Sequence, residues 1–221
     1  MNLVIVKYNA GNIQSVLYAL ERIGYEAVVT DDPVLIRGAD KVIFPGVGEA
    51  RSAMDYLKER GLDRLIRELR QPVLGICLGM QLMCSYSEEN DTECLGIFGE
   101  KVKKFEPGVG SVPGGPGADE GGGDRRGKDD RTAGTTFKVP QIGWNNIYDL
   151  STPLFGEVAE NSYCYFVHGY YAALGEHTIA RTDYIQPYSS ALHKDNFYGV
   201  QFHPEKSAQA GERILRNFIN I

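Results

Sequence analysis

Apolar positions along the chain follow two regimes. In the N-terminal part, short unbroken apolar runs alternate with stretches of helical period. LVIV (Leu3–Val6), EAVVT ending at Thr30, KVIF (Lys41–Phe44) and PVLGI ending at Ile76 are the runs. Aliphatic segments without polar alternation fit strands covered on both faces. Between them, NIQSVLYALERIG places Ile13, Val16, Leu17 and Leu20 on one helical face and stops at Gly24, a C-cap residue. EARSAMDYLKERG predicts a helix ending at Gly61, and another helix follows Cys77. Strand and helix in alternation predict an α/β fold with a largely parallel central sheet flanked by helices.

The second regime is rich in aromatics. WNNIY, YCYFVHGYYAAL, HTIAR and FYGVQFH read as strands with short connections, expected as antiparallel additions to the sheet. The terminal SAQAGERILRNFI sets Ile214, Leu215, Phe218 and Ile219 on one stripe, with Ser207 placed as an N-cap. Pro107–Thr136 belongs to neither regime. It holds ten glycines, no aromatic residue and mixed charge. Such a segment cannot bury enough apolar surface to offset its ordering entropy. It is expected to be a flexible insert, outside any active site, in a single domain spanning residues 1–221.

Composition narrows the classes. With 221 residues and 43% hydrophobic content the chain can build one sizeable core. A formal charge of -6 without a basic run argues against nucleic acid as a partner. No window resembles a membrane span or a secretory signal. Cys77, Cys84, Cys94 and Cys164 show neither CxxC pairing nor metal-ligand spacing. Free thiols without an export signal point to the cytoplasm. No phosphate-binding P-loop or dinucleotide fingerprint occurs, so no cofactor or metal is expected.

Chemistry concentrates in three stretches. GICLG, around Cys77, has the G-x-C-x-G layout of a nucleophile elbow, with Cys where many hydrolases carry Ser. Gly75 and Gly79 remove Cβ atoms that would crowd a sharp strand-to-helix turn. The helix that follows would aim its N–H groups at the sulfur and favour thiolate, and the N–H of Leu78 could stabilise an oxyanion. The bland reading is a buried small hydrophobe. YGVQFHPEKS ends an apolar run at His203, with Glu205 two residues on. In extended chain these two face the same way, so Glu205 can orient the imidazole, the third-group role of a triad. His168, in YFVHGYY, is a rival base without a nearby acid in sequence. His177 and His193 lack special context. FPGVGEA offers backbone N–H groups at Gly46 and Val47 as a second oxyanion donor; it also fits an ordinary strand-to-helix loop.

With FPGVG, GICLGMQL and FHPE in this order, the chain resembles the class I (triad) glutamine amidotransferases over its whole length apart from the Gly-rich insert. NAGNIQSV, VPQIGWNNI, YFVHGYY and QFHPEKS are most similar to the glutaminase subunits of imidazole glycerol phosphate synthases. The resemblance implies Cys77 as nucleophile, His203 as base and acid, and Glu205 as its orienting group. It implies an oxyanion hole from Gly46, Val47 and Leu78. Glutamine would be held by Gly48, Gln81, Glu89, Gly169 and Tyr170, while Asn12, Trp144 and Lys206 would face a partner. That partner would be a (β/α)8-barrel cyclase, forming a heterodimer and receiving ammonia for histidine biosynthesis. Lys7 and Asn9 depart from the family's usual Asp-Tyr-Gly, and Gly169 stands where Ser or Thr is common. A glutaminase subunit serving pyridoxal phosphate, aminodeoxychorismate or anthranilate synthesis, and a non-catalytic regulatory protein on the same fold, are the alternatives.

Overall fold

The computed structural model describes residues 1–9, 12–107, 109–110 and 135–221. Strands are β1 Leu3–Val6, β2 Val28–Thr30, β3 Lys41–Gly46, β4 Val73–Cys77, β5 Tyr86–Ser87, β6 Thr92–Glu93, β7 Lys101–Lys104, β8 Val109–Gly110, β9 Thr135–Thr136, β10 Gln141–Ile147, β11 Ser162–His168, β12 Tyr170–Ala172, β13 Thr178–Asp183, β14 Pro187–Lys194 and β15 Phe197–Val200. Helices are α1 Ile13–Arg22, α2 Pro33–Arg37, α3 Ala50–Glu59, α4 Leu62–Glu68, α5 Leu78–Met83 and α6 Ala208–Asn220. The expectation for the Gly-rich insert falls largely outside the described residues; its flanks pair as β8 and β9.

The main sheet runs β2-β1-β3-β4-β15-β14-β12-β7-β5-β6, with β13 on β14. β2, β1, β3, β4 and β15 are mutually parallel. Antiparallel pairing starts at β14. Two expectations need correction. FYGV is not only an antiparallel addition: β15 lies beside β4 in parallel, Val200 opposite Ile76. WNNI and SYCYFVH do not extend the main sheet; β10 and β11 form a separate two-stranded sheet. The run YCYFVHGYYAAL changes sheet at Gly169, leaving β11 in one and β12 in the other. Local alternation marks these segments as strands but does not encode which edge they join.

The parallel strands split their side chains between two helical layers, as the period of two requires. Val4, Val6, Val42, Phe44 and Val73 pack toward α2, α3, α4 and α5. Leu3, Ile5, Ile43, Leu74, Ile76 and Val200 pack toward α1 and α6, against Val16, Leu20, Ile214, Leu215 and Phe218. Parallel strands end together, so Gly46 and Cys77 sit side by side at one edge of the sheet. In open parallel sheets that edge is where ligands bind. No described helix is long and apolar enough to cross a membrane.

Candidate active site

The turn at Cys77 is built by steric necessity. Cys77 ends β4 and caps α5 with φ 53 and ψ -109, a left-sided backbone that a non-glycine residue adopts only under constraint. The constraint is the close seating of α5 on β3: a Cβ on Gly79 would collide with the carbonyl of Phe44. On the next loop Gly48 has φ +125, open to glycine and strained for other residues. Tyr8 braces the end of β3 that leads into that loop, its hydroxyl donating to the carbonyl of Pro45 at 2.6 Å. As first residue of α5, Leu78 keeps an N–H that the helix ladder does not use.

A cavity of about 260 Å³ opens here. Val47, Gly48, Cys77, Leu78, Gln81, Glu89, Val167, His168, Gly169 and Tyr170 line it. All five residues expected to hold glutamine are therefore on its wall, with the thiol. Glu89 accepts from the N–H of Ala50 at 2.8 Å, at the start of α3. Burial raises its pKa, opposed by that hydrogen bond, and the neighbouring Glu49 adds to the rise. A carboxylate so placed favours a cationic ligand group. Gln81 donates to the carbonyl of Tyr170 at 2.8 Å and to Oε1 of Gln201 at 2.9 Å.

His203 and Glu205 are packed out of water, their side chains 1% and 0% exposed. Nδ1 of His203 lies 2.7 Å from Oε1 of Glu205, and Nδ2 of Asn12 donates to the same oxygen at 2.7 Å. The expected extended geometry is replaced by a turn: His203 is extended but Pro204–Lys206 coils into a 3-10 helix. Ser207 does not cap α6. Its hydroxyl donates to the carbonyl of His203 at 2.6 Å and accepts from the N–H of Tyr165 at 2.9 Å, tying the His203 turn to β11. A tertiary donor, the N–H of Tyr165, takes the place of the helix N–H groups from which a capping hydroxyl would accept.

Burial alone would lower the pKa of His203. The Cys77 sulfur and the Glu205 carboxylate outweigh it and raise it to about 10. Nε2 has no partner of full hydrogen-bond geometry among the described residues, so the sulfur acts through proximity and charge rather than a completed bond. His168 is the opposite case: burial lowers its pKa to about 4, and its Nδ1 is engaged with the carbonyl of Tyr170 at 2.8 Å. It is a neutral wall residue at neutral pH. His177 pairs with Glu100 at 3.0 Å, and His193 stacks on Tyr198 with ring centres 4.2 Å apart.

Trp144 and Lys206 are not in the cavity. Trp144 is exposed on β10 and meets the ring of Tyr165 at 6.0 Å, while Nζ of Lys206 lies 5.9 Å from that same ring. With exposed Ile142 and Tyr163 they form one apolar surface with a cation at its border. Asn12 is half-buried and spends its amide on Glu205. Tyr8 and Gln201 were not anticipated. For Gln201 a signal existed: it lies two residues before His203, on the same side of an extended chain. Among the described residues no group of three or more metal-ligating side chains gathers.

A strained cysteine at the end of a parallel strand, a buried histidine–carboxylate pair and a walled cavity together have the layout of a nucleophile elbow on an α/β sheet. The chain belongs to the class-I glutamine amidotransferase family, whose sequence model matches residues 4–221. It is 53% identical over 221 residues to an imidazole glycerol phosphate synthase subunit HisH of Bacteroides fragilis, covering 100% of both chains. A relative of the same name from Pasteurella multocida is 40% identical over 219 residues, covering 99% of this chain and 97% of its own. A solved glutamine amidotransferase from Thermotoga maritima shares the fold at TM-score 0.56 and 16% identity, covering 99% of this chain and 82% of the other.

Proposed function

We propose that this protein hydrolyses glutamine to glutamate and ammonia and passes the ammonia to a (β/α)8-barrel cyclase, as the glutaminase half of an imidazole glycerol phosphate synthase. The reading rests on one observation: the thiol of Cys77 opens into the cavity walled by Gly48, Gln81, Glu89, Gly169 and Tyr170. Its pathway and partner rest on the full-length relatives that bear that name.

In this mechanism the sulfur of Cys77 attacks the side-chain carboxamide of glutamine. The oxyanion is met by the N–H of Leu78 and by the Gly46–Val47 peptide. The imidazolium of His203 protonates the departing ammonia, and a γ-glutamyl thioester remains. Water, deprotonated by His203, then releases glutamate and restores the thiol. Glu205 holds the imidazole in one tautomer and offsets its charge. Glu89 faces the substrate ammonium. The chemistry consumes only glutamine and water, and calls for no cofactor. The whole chain works as one amidotransferase domain in the cytoplasm, and docks its partner through the Trp144 and Lys206 surface.

Glutamate release should be measured with and without the cyclase and its aminoimidazole-carboxamide nucleotide, with Cys77→Ala as control. Strong stimulation that is lost in the variant is expected. Cysteine-dependent release without stimulation would reassign the protein to another synthase. Release that survives in Cys77→Ala would overturn the nucleophile assignment.

A further inference from the structure

Gln201 immediately follows β15, 0% exposed, and none of the roles above uses it. A buried primary amide must place two donors and an acceptor. Its Nε2 donates toward Sγ of Cys77 at 3.7 Å, within the longer range that sulfur acceptors allow. Its Oε1 accepts from Nε2 of Gln81 at 2.9 Å, and that same nitrogen donates to the carbonyl of Tyr170 at 2.8 Å. The orientation of Gln201 is thereby dictated. Gln81 presents only donor hydrogens to it, so Gln201 must turn its oxygen toward Gln81 and its N–H toward the sulfur. A flip would set amide against amide on one side and oxygen against sulfur on the other, and both contacts would be repulsive. The backbone holds the residue equally firmly, since its N–H donates to the carbonyl of Ser190 at 2.8 Å.

We propose that Gln201 is a positioning residue whose amide N–H holds the sulfur of Cys77 as thiolate, and that Gln81 sets its direction. The relay runs Tyr170 carbonyl, Gln81 amide, Gln201 amide, Cys77 sulfur. Its first two members wall the glutamine cavity, so occupancy of the cavity and orientation of the nucleophile share one set of hydrogen bonds. His203 supplies the charge that balances the thiolate. Gln201 supplies a neutral donor from a second direction, which fixes where the sulfur points without holding its proton. A hydrogen bond to the charged form of a group favours that form. The inference rests on Cys77 being the nucleophile.

The test is the pH dependence of Cys77 alkylation by iodoacetamide, followed by peptide mass mapping to separate it from Cys84, Cys94 and Cys164. Gln201→Met keeps side-chain volume and removes the donor. Gln201→Glu keeps the shape and puts carboxylate oxygen at the sulfur. The alkylation midpoint should move up by about one pH unit in Gln201→Met, making alkylation about tenfold slower below the midpoint, and further in Gln201→Glu. A purely structural amide would change the melting temperature and leave the midpoint in place. Should Gln201→Met fail to fold, Gln201→Glu decides alone. Midpoints within a few tenths of a unit of wild type in the folded variants would overturn the proposal. In parallel, glutamate release by the complex with its cyclase is measured after Cys77 is capped. If release survives capping, the nucleophile assignment falls and the role of Gln201 falls with it. If release is lost and the midpoints do not move, only Gln201 is refuted.

Discussion

Replacing Glu205 by Gln removes one charge and almost no volume, and the surroundings dictate the outcome. Oε1 of Glu205 accepts from Nδ1 of His203 and from Nδ2 of Asn12, both at 2.7 Å. Oε2 is buried without a partner among the described residues. A Gln that keeps its oxygen at the shared point retains both bonds and drives its NH2 into the site of Oε2. A buried donor left unmatched there costs about 1–3 kcal/mol of stability. The flipped Gln faces two donors with a third: the clash with His203 is relieved only if the ring moves its proton to Nε2, toward Cys77, and the clash with the amide of Asn12 remains. That tautomer cannot take a proton from the thiol. In either case the imidazolium loses its compensating charge. Hydrogen bonds to charged groups contribute about 1.5–3 kcal/mol against about 0.5–1.5 for neutral ones. The difference, about 1–2 kcal/mol of lost stabilisation whenever His203 is charged, lowers kcat about tenfold and more if the tautomer is wrong. Because Glu205 helps raise the pKa of His203 to about 10, the variant's imidazolium must titrate lower. The assay is glutamate release by the complex with its cyclase, alongside an NMR titration of the His203 ring. A kcat within twofold of wild type, with His203 titrating unchanged, would refute the assignment of Glu205.

Three further outcomes are expected. Gly79→Ala forces a methyl into the Phe44 carbonyl and should destabilise the fold by about 1–3 kcal/mol in urea denaturation; an unchanged midpoint would mean that α5 can lift off β3 freely. His168 titrates at about 4 when folded against an ordinary value near 6.5, so the unfolded chain takes its proton first as pH falls. Its contribution is complete above about pH 6.5 and lost progressively down to about 4, so wild type should lose about 2 kcal/mol between neutrality and about pH 5 that His168→Gln does not; equal losses would count against a buried neutral His168. Trp144→Ala should weaken binding of the cyclase by at least about tenfold in calorimetry while leaving the melting temperature near wild type, since exposed aromatics of this kind anchor interfaces. Unaltered affinity would move the docking surface elsewhere.

Much of this protein is legible in one dimension. Strands β1 and β4 announce themselves because a strand covered on both faces must be apolar at every position, as LVIV and VLGIC are. The motifs around Cys77 and His203 are short-range chemistry: the glycine pattern permits the turn, and Glu205 reaches His203 because it lies only two positions further on. Tertiary structure decided what depends on partners distant in the chain. Whether β15 lies parallel to β4, and whether β10 and β11 join the main sheet or form their own, depends on competition between edges that local alternation does not encode. The Ser207 hydroxyl accepts from the N–H of Tyr165 instead of from its own helix, because packing against β11 brought that donor within reach. The pKa values of His168 and His203 part in opposite directions although both are buried. The difference is that Cys77 and Glu205 stand beside one and not the other, a fact of packing between strands 126 residues apart in the case of Cys77 and His203. The residue types are therefore written in the sequence, while the electrostatics that make them a site arise only when the fold removes water and sets the charges side by side.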